Sequence, residues 1–122
     1  MGLDPPELIH LATEYGHLRR YFENLEREID KGTQWAVGEP NGEQLRANVR
    51  RTVEDFLLNE WQNGALVGDK PDKAFFVRCD RSTMGQDDLD KGHLVCLIGV
   101  APLKPSQFVE FRLLQWTADR KV

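Results

Sequence analysis

Three strand-like runs between residues 74 and 116 constrain the fold of this chain more than any other feature. Apolar residues alternate in Ala74–Cys79 and again in Phe108–Trp116, which is typical of strands that bury one face. Leu94–Ala101 lies between them and is apolar almost throughout, so both of its faces should be buried. The middle run therefore predicts a central strand, and the last run predicts a strand nearer to an edge.

Two amphipathic helices are predicted upstream of these strands. Apolar residues recur with a helical period in Tyr15–Lys31, and Gly32 would end that helix. A second apolar stripe runs from residue 45 to residue 61. Asn41 would cap this second helix, with Gln44 reaching back to it in a capping box.

A short strand at Thr33–Val37 is predicted between the two helices. A strand–helix–strand crossover from there to Ala74 should be right-handed, which would make these two strands parallel. The later links are short enough for antiparallel neighbours. The predicted architecture is an α+β two-layer fold, with two helices packed on a small mixed sheet. Its core would contain Leu25, Phe56, Trp61 and Phe75.

Length and composition predict one folded domain without a nucleic-acid or membrane partner. The 122 residues are 40% hydrophobic and carry a net charge of −4, which is not the basic balance of a nucleic-acid-binding protein. No apolar run approaches the roughly 20 residues that span a bilayer, and no signal peptide is recognisable. With only two cysteines, we expect a reduced, cytoplasmic protein. We expect a lead-in at residues 1–13, a domain at 14–117 and a tail at 118–122.

No arrangement of reactive side chains predicts an enzyme. Cys79 and Cys96 are compatible with a disulfide, a metal pair or a nucleophile, but their apolar neighbours favour small buried side chains. A catalytic set of Cys79, Asp80 and His93 would rest on sequence adjacency alone. The following loop lacks the ligand spacing of a calcium site, so we expect Asp87 and Asp88 to start a turn or a short helical segment there, closed by Gly92. We therefore predict no catalytic residue, no cofactor and no metal.

Three arginines occupy positions that are electrostatically unfavourable for the second helix. Arg46, Arg50 and Arg51 lie in the first turns of the second helix, where the helix dipole disfavours positive charge. Their i,i+4 pairs with Glu54 and Asp55 have the weaker orientation. Exceptions of this kind are found at functional sites, although a solvated helix face is the plainer interpretation.

Several separate segments, in the same order, resemble the C-terminal domain of contractile tail sheath proteins. Such proteins build the contracting outer cylinder of myophages, R-type pyocins and related injection systems. The resemblance runs from about residue 15 to residue 117. Its segments are EREIDKGTQWAVGEPN (26–41), FFVRCD and STM (75–84, with Arg81 between), QDDLDKGHLVC (86–96) and IGVAPLKPSQFVEFRLLQWT (98–117).

The resemblance implies a structural subunit without catalytic activity. In the family this inner domain holds the sheath together around a rigid tube, and the copies form a helical cylinder through exchanged terminal arms. The implied partners are further copies of the chain, the tail tube protein, and baseplate or cap proteins. Assembly would take place in the host or bacterial cytoplasm, and the product would be a virion tail or an injection particle. The alternative is a small accessory module that caps or adapts a contractile tail.

The resemblance also implies roles for two groups of residues. A charged helix of the family domain contacts the inner tube, which would correspond to Arg46, Arg50 and Arg51. C-terminal arms of the family enter a neighbour's sheet, so we expect the last strand to pair between chains. The other interpretation is an ordinary hairpin with Leu94–Ala101 inside one chain. The residues expected at the intersubunit strand are Phe108, Val109, Phe111, Leu113 and Trp116.

Overall fold

The structure is a computed structural model that describes residues 17–118. The predicted lead-in at 1–13 and most of the tail at 118–122 lie outside these residues. Within them, no helix combines the length and the apolar character needed to cross a membrane. The elements are α1 His17–Gly32, a 3₁₀ helix Gln34–Ala36, α2 Glu43–Gln62, α3 Pro71–Ala74, β1 Phe75–Arg78, α4 Gln86–Asp90, β2 His93–Val100 and β3 Val109–Trp116.

The three predicted C-terminal strands form one antiparallel sheet in the order β1-β2-β3. Val77 of β1 pairs with Ile98 of β2, and Cys96 of β2 pairs with Leu113 of β3. The prediction that the middle run is the central strand is confirmed. Of the turn and the short helical segment that were open for the connecting loop, the structure has the helix, α4, and Gly92 follows it with a positive φ of 77°.

The strand predicted at Thr33–Val37 is wrong, because this segment continues the helical turns of α1. The Thr33 hydroxyl donates to the Ile29 carbonyl at 2.8 Å, and the Ala36 N–H donates to the Thr33 carbonyl at 3.0 Å. These local hydrogen bonds compete with pairing in a sheet. The α+β class is confirmed, but the sheet is antiparallel rather than mixed.

The start of α2 also differs from the prediction. Gly42, in an extended conformation, is the residue that precedes the helix, and no side chain caps it. Asn41 lies one residue too early for that role. Its side chain instead donates to the His93 carbonyl at 3.3 Å, and Gln44 donates to Asn48 at 2.9 Å. Asn41 therefore connects the beginning of α2 to the beginning of β2.

The core lies between the helices and one face of the sheet. Leu25 and Phe75 are buried as predicted, whereas Phe56 and Trp61 are only partly buried and pack against the core. Trp61 lies at the rim because its indole N–H donates to the Gly68 carbonyl in a loop, at 2.8 Å. The most deeply buried side chains of α2 are Val49, Val53 and Leu57, and those of β2 are Leu94, Cys96, Ile98 and Val100.

Candidate subunit interface

The outer edge of β3 is the first part of the candidate interface. The Thr117 N–H donates to the Gly92 carbonyl at 2.8 Å on the side of β2, and the Gly38 N–H donates to the Trp116 carbonyl at 3.2 Å on the other side. Backbone groups of successive strand residues point alternately to the two sides. Arg112 therefore directs its N–H and C=O away from β2, toward the edge of the sheet.

One end of this outer edge is covered by the chain itself. Gly38 bonds to the Trp116 carbonyl, as described above. The next residue, Glu39, accepts a hydrogen bond at its carbonyl from the Ala118 N–H at 2.9 Å. Residues 38–39 thus run beside the C-terminal end of β3. Among the described residues, no strand pairs with β3 on this side, and outward-pointing backbone groups such as those of Arg112 are the kind to which another strand can add.

Three of the predicted interface side chains face the core of their own chain. Val109 and Phe111 are partly buried and Leu113 is buried, all on the face that the helices cover. Gln115 continues this face, and its amide donates to the Thr33 hydroxyl at 2.9 Å. β3 pairs with β2 along its whole length. The hairpin within one chain is therefore formed, and pairing between chains is restricted to the outer edge.

The remaining two predicted residues lie against the opposite side of the sheet. Trp116 is 43% exposed and packs edge-to-face on the His93 ring, with centroids 4.6 Å apart. Phe108 precedes β3, and its ring meets the Phe76 ring edge-on at 5.1 Å. The alternation in the sequence also places Phe108 and Trp116 on the side opposite to Val109, Phe111 and Leu113, although all five were predicted at the intersubunit strand.

The three arginines do not form one cluster. Arg46 donates from Nη1 to the carbonyl and Oδ1 of Asn41, at 3.2 and 3.0 Å, so it closes the turn that leads into α2. Arg50 lies one turn further along, and its Nε is 3.4 Å from Glu54 Oε1, which confirms the predicted pair. Arg51 is exposed and projects away from the buried stripe. Within residues 17–118 no salt bridge joins Arg51 to an acidic side chain.

A groove beside β1 was not predicted from the sequence. It is an open groove with a volume of about 430 Å³ between α2, α3 and the outer edge of β1. Three carboxylates line it together with apolar side chains. Such a groove favours an extended segment that carries positive charge. The only signal in the sequence was the pair of acidic residues on α2. The lining residues are Glu54, Asp55, Leu58, Pro71, Asp72, Phe75, Phe76 and Val77.

Aspartates in the connection between β1 and β2 make hydrogen bonds to nearby residues of the same connection and to the start of β2. Asp88 accepts from the Gly85 N–H at 3.2 Å at the start of α4, and its other oxygen lies 3.3 Å from His93 Nδ1. Hydrogen bonds from Ser82 hold the pKa of Asp80 below its usual range. Across residues 17–118, no three His, Cys, Asp or Glu side chains converge in a way that would hold a metal ion.

Comparison with known proteins agrees with the resemblance of the separate segments. The family model of the phage tail sheath C-terminal domain matches residues 13–114. Over 80% of its length, the chain is 36% identical to a chain in the cryo-EM structure of the anti-feeding prophage (AFP) baseplate, with a TM-score of 0.67. Over 83% it is 34% identical to a chain of the PVC sheath complex, an extracellular contractile injection system in the contracted state, with a TM-score of 0.66. The chain spans 27% and 28% of the lengths of those two chains.

Proposed function

We propose that this chain, which belongs to the phage tail sheath C-terminal domain family, is a structural subunit of a contractile tail sheath. In this role it polymerises into a helical cylinder around a tail tube, and the role requires no catalysis. The observation that carries the proposal is the edge position of β3, whose backbone groups around Arg112 point out of the sheet.

An exposed strand edge suits this assembly because it can accept another strand. Main-chain hydrogen bonds supply affinity, and the flanking side chains supply specificity. A contact between two different surfaces of identical subunits does not have to close on itself, and so it generates an open helical array. We assign β3 as one of these surfaces. The acidic groove beside β1 is a candidate for the second, occupied by a segment of a neighbouring copy.

The partners and the place of assembly follow from the same role. We propose the tail tube protein as the second partner, with baseplate or cap proteins at the ends of the cylinder. Assembly takes place in the host or bacterial cytoplasm, and the product is a virion tail or an injection particle. Arg50 and Arg51 are the candidates for the tube contact, because Arg46 is engaged with Asn41 inside its own chain.

A proline at the edge of β3 tests the proposed assembly. Arg112→Pro removes an N–H that points outward and leaves the hydrogen bonds to β2 in place, which edge strands tolerate. Deleting the whole strand would be less informative, since Leu113 and Gln115 belong to the core. Sedimentation velocity and circular dichroism should show that the parent chain and Arg112→Ala self-associate. Arg112→Pro should retain its secondary structure and remain monomeric.

Two results would contradict the proposal. If Arg112→Pro assembles as the parent chain does, β3 is not the strand that pairs between subunits. If the parent chain stays monomeric at high concentration, and electron microscopy shows no cylinder when tube protein is present, the chain does not polymerise. The accessory-module alternative would then be favoured.

The tube contact is tested separately by charge reversal. Arg50→Glu combined with Arg51→Glu should abolish assembly on the tube while the unfolding transition stays cooperative, because exposed charges set register at an interface. Gln62→Glu, at the exposed end of the same helix, adds negative charge elsewhere and is the control. Normal assembly of the double variant would exclude these arginines from the contact.

A further inference from the structure

Cys79 and Cys96 lie beside each other at the end of the β1–β2 pairing. The register of β1 and β2 ends with Arg78 and Leu97, and Cys79 and Cys96 are the next residues along the two chains. Both side chains point to the face of the sheet that the helices cover, as does Val77. The two cysteines are free thiols and both are buried.

If the register of β1 and β2 is continued by one residue, the two cysteines have the spacing that a disulfide needs. The Ala101 N–H donates to the Ala74 carbonyl, and the Thr83 hydroxyl donates to the Val95 carbonyl. The odd-numbered residues of β2 therefore bond toward β1, which makes Cys79 and Cys96 a pair without ladder hydrogen bonds. Cα atoms in such pairs are about 4.5 Å apart. That distance lies within the range of roughly 4.4–6.8 Å across which disulfides form.

The two thiols lie close enough to affect each other. A hydrogen bond with Cys79, together with burial, raises the pKa of the Cys96 thiol. Cys96 is 0% exposed, whereas Cys79 is 5% exposed and follows the last residue of β1. The end of a four-residue edge strand opens more readily than the centre of a sheet. Cys79 is therefore the thiol that a reagent reaches first, and Cys96 is positioned behind it.

We propose that Cys79 and Cys96 form a reversible oxidation site, at which a small disulfide such as oxidised glutathione converts both thiols into one cross-strand disulfide. Cys79, as the thiolate, attacks the small disulfide, forms a mixed disulfide and releases one glutathione thiol. The Cys96 sulfur then attacks the Cys79 sulfur and releases the second glutathione thiol. The two cysteines lose two protons and two electrons, and these are recovered in the two reduced glutathione molecules.

This inference does not depend on the proposed function. The cross-link would join β1 to the central strand at the point where the four-residue ladder ends. Because β1 borders the acidic groove, the bond would hold that edge of the sheet in place under oxidising conditions. Reduction would return the edge to its ordinary stability.

The site is tested by treating the native protein with increasing ratios of oxidised to reduced glutathione. After quenching with an alkylating reagent in denaturant, intact mass should show loss of two hydrogen atoms and no remaining alkylated cysteine. The product should be monomeric on a non-reducing gel, and dithiothreitol should restore both thiols. The oxidised form should also have a higher melting temperature than the reduced form.

Two cysteine variants separate the steps. Cys96→Ala should stop at a stable glutathione adduct on Cys79, and Cys79→Ala should remain unmodified as long as it is folded. The proposal is overturned if the parent protein keeps two alkylatable thiols at the most oxidising ratio of oxidised to reduced glutathione. It is also overturned if the parent protein accumulates the adduct without closing the disulfide. The parent protein decides both results, so the test stands even where a variant folds poorly.

Discussion

The ring of Phe76 lies across the backbone of Gly99, its paired residue on β2, on the sheet face that points away from the helices. A Cβ atom on Gly99 would stand 2.6 Å from Cζ of that ring. The Phe108 ring packs edge-on against Phe76 and extends the cover. Gly99 thus leaves the space in which an aromatic pair shields the second face of the sheet, a known way of supporting a glycine within a strand.

Gly99→Ala should destabilise the fold by about 1–3 kcal/mol, because the added methyl group forces the ring of Phe76 out of its position. Denaturant unfolding measures the loss. Gly32→Ala is the matched control, since a Cβ there meets nothing within 4 Å, and its effect should stay within about 0.5 kcal/mol. In a Phe76→Ala background Gly99→Ala should cost less. Equal costs in the two backgrounds would show that the ring is not the obstacle.

Leu57→Ala should cost about 2–5 kcal/mol, because it leaves a cavity beneath a fully buried side chain of α2. Phe56→Ala should cost less, since Phe56 lies only partly within the core. Urea or guanidinium titration of both variants shows which one loses more free energy of unfolding. Exposed Asn59 on the same helix provides the control, with a change of no more than about 0.5 kcal/mol on substitution by alanine. A larger loss for Phe56 than for Leu57 would contradict the observed packing of α2.

Gln115→Leu should cost about 1–3 kcal/mol although the two side chains are similar in size. The amide donates to the buried Thr33 hydroxyl and to the carbonyl and carboxylate of Asp30, and the variant leaves these acceptors without that donor. Chemical denaturation measures the effect, with exposed Gln62→Leu as control. A neutral result would mean that the network between β3 and the end of α1 contributes nothing to stability.

Tyr21 should make stability fall at high pH. Burial, followed by the hydrogen bond that its hydroxyl donates to Glu60 at 2.9 Å, raises the pKa of Tyr21 above its ordinary 10.0. The folded chain holds this proton more tightly than the unfolded chain. The protonated Tyr21 hydroxyl therefore contributes its full stabilisation to the free energy of unfolding below about pH 10. This stabilisation is lost as the pH rises through the higher pKa of the folded chain.

The measurement is the free energy of unfolding as a function of pH, compared with that of Tyr21→Phe. The variant should be less stable by about 1 kcal/mol at neutral pH, from the lost hydrogen bond. The difference between the two proteins should shrink above pH 10, where the tyrosine begins to ionise in the unfolded chain. A constant difference across this range would contradict the linkage.

The prediction from sequence failed where short-range competition between structures decided the outcome. Thr33–Val37 has the composition of a strand, yet the hydroxyl and N–H of Thr33 donate hydrogen bonds to the Ile29 carbonyl at the end of α1 instead. Asn41 is a good helix cap by residue type, but Gly42 takes that position and the Asn41 side chain bonds to His93. The His93 carbonyl lies 52 residues from Asn41 in the sequence, so a local pattern does not show that partner.

The sequence by itself determined the two long helices, the three C-terminal strands, the central position of β2 and the sheath-domain family. These features depend on the period of the apolar residues and on recognisable segments that follow one another in a fixed order. Both can be read from short stretches of the sequence. Only the tertiary structure decided that Cys79 lies beside Cys96, that Phe76 covers Gly99, and that Arg46 bonds to its own chain while Arg51 is exposed. The physical reason is register: a shift of one residue between two strands changes every cross-strand neighbour, and that choice is made by packing across the whole domain.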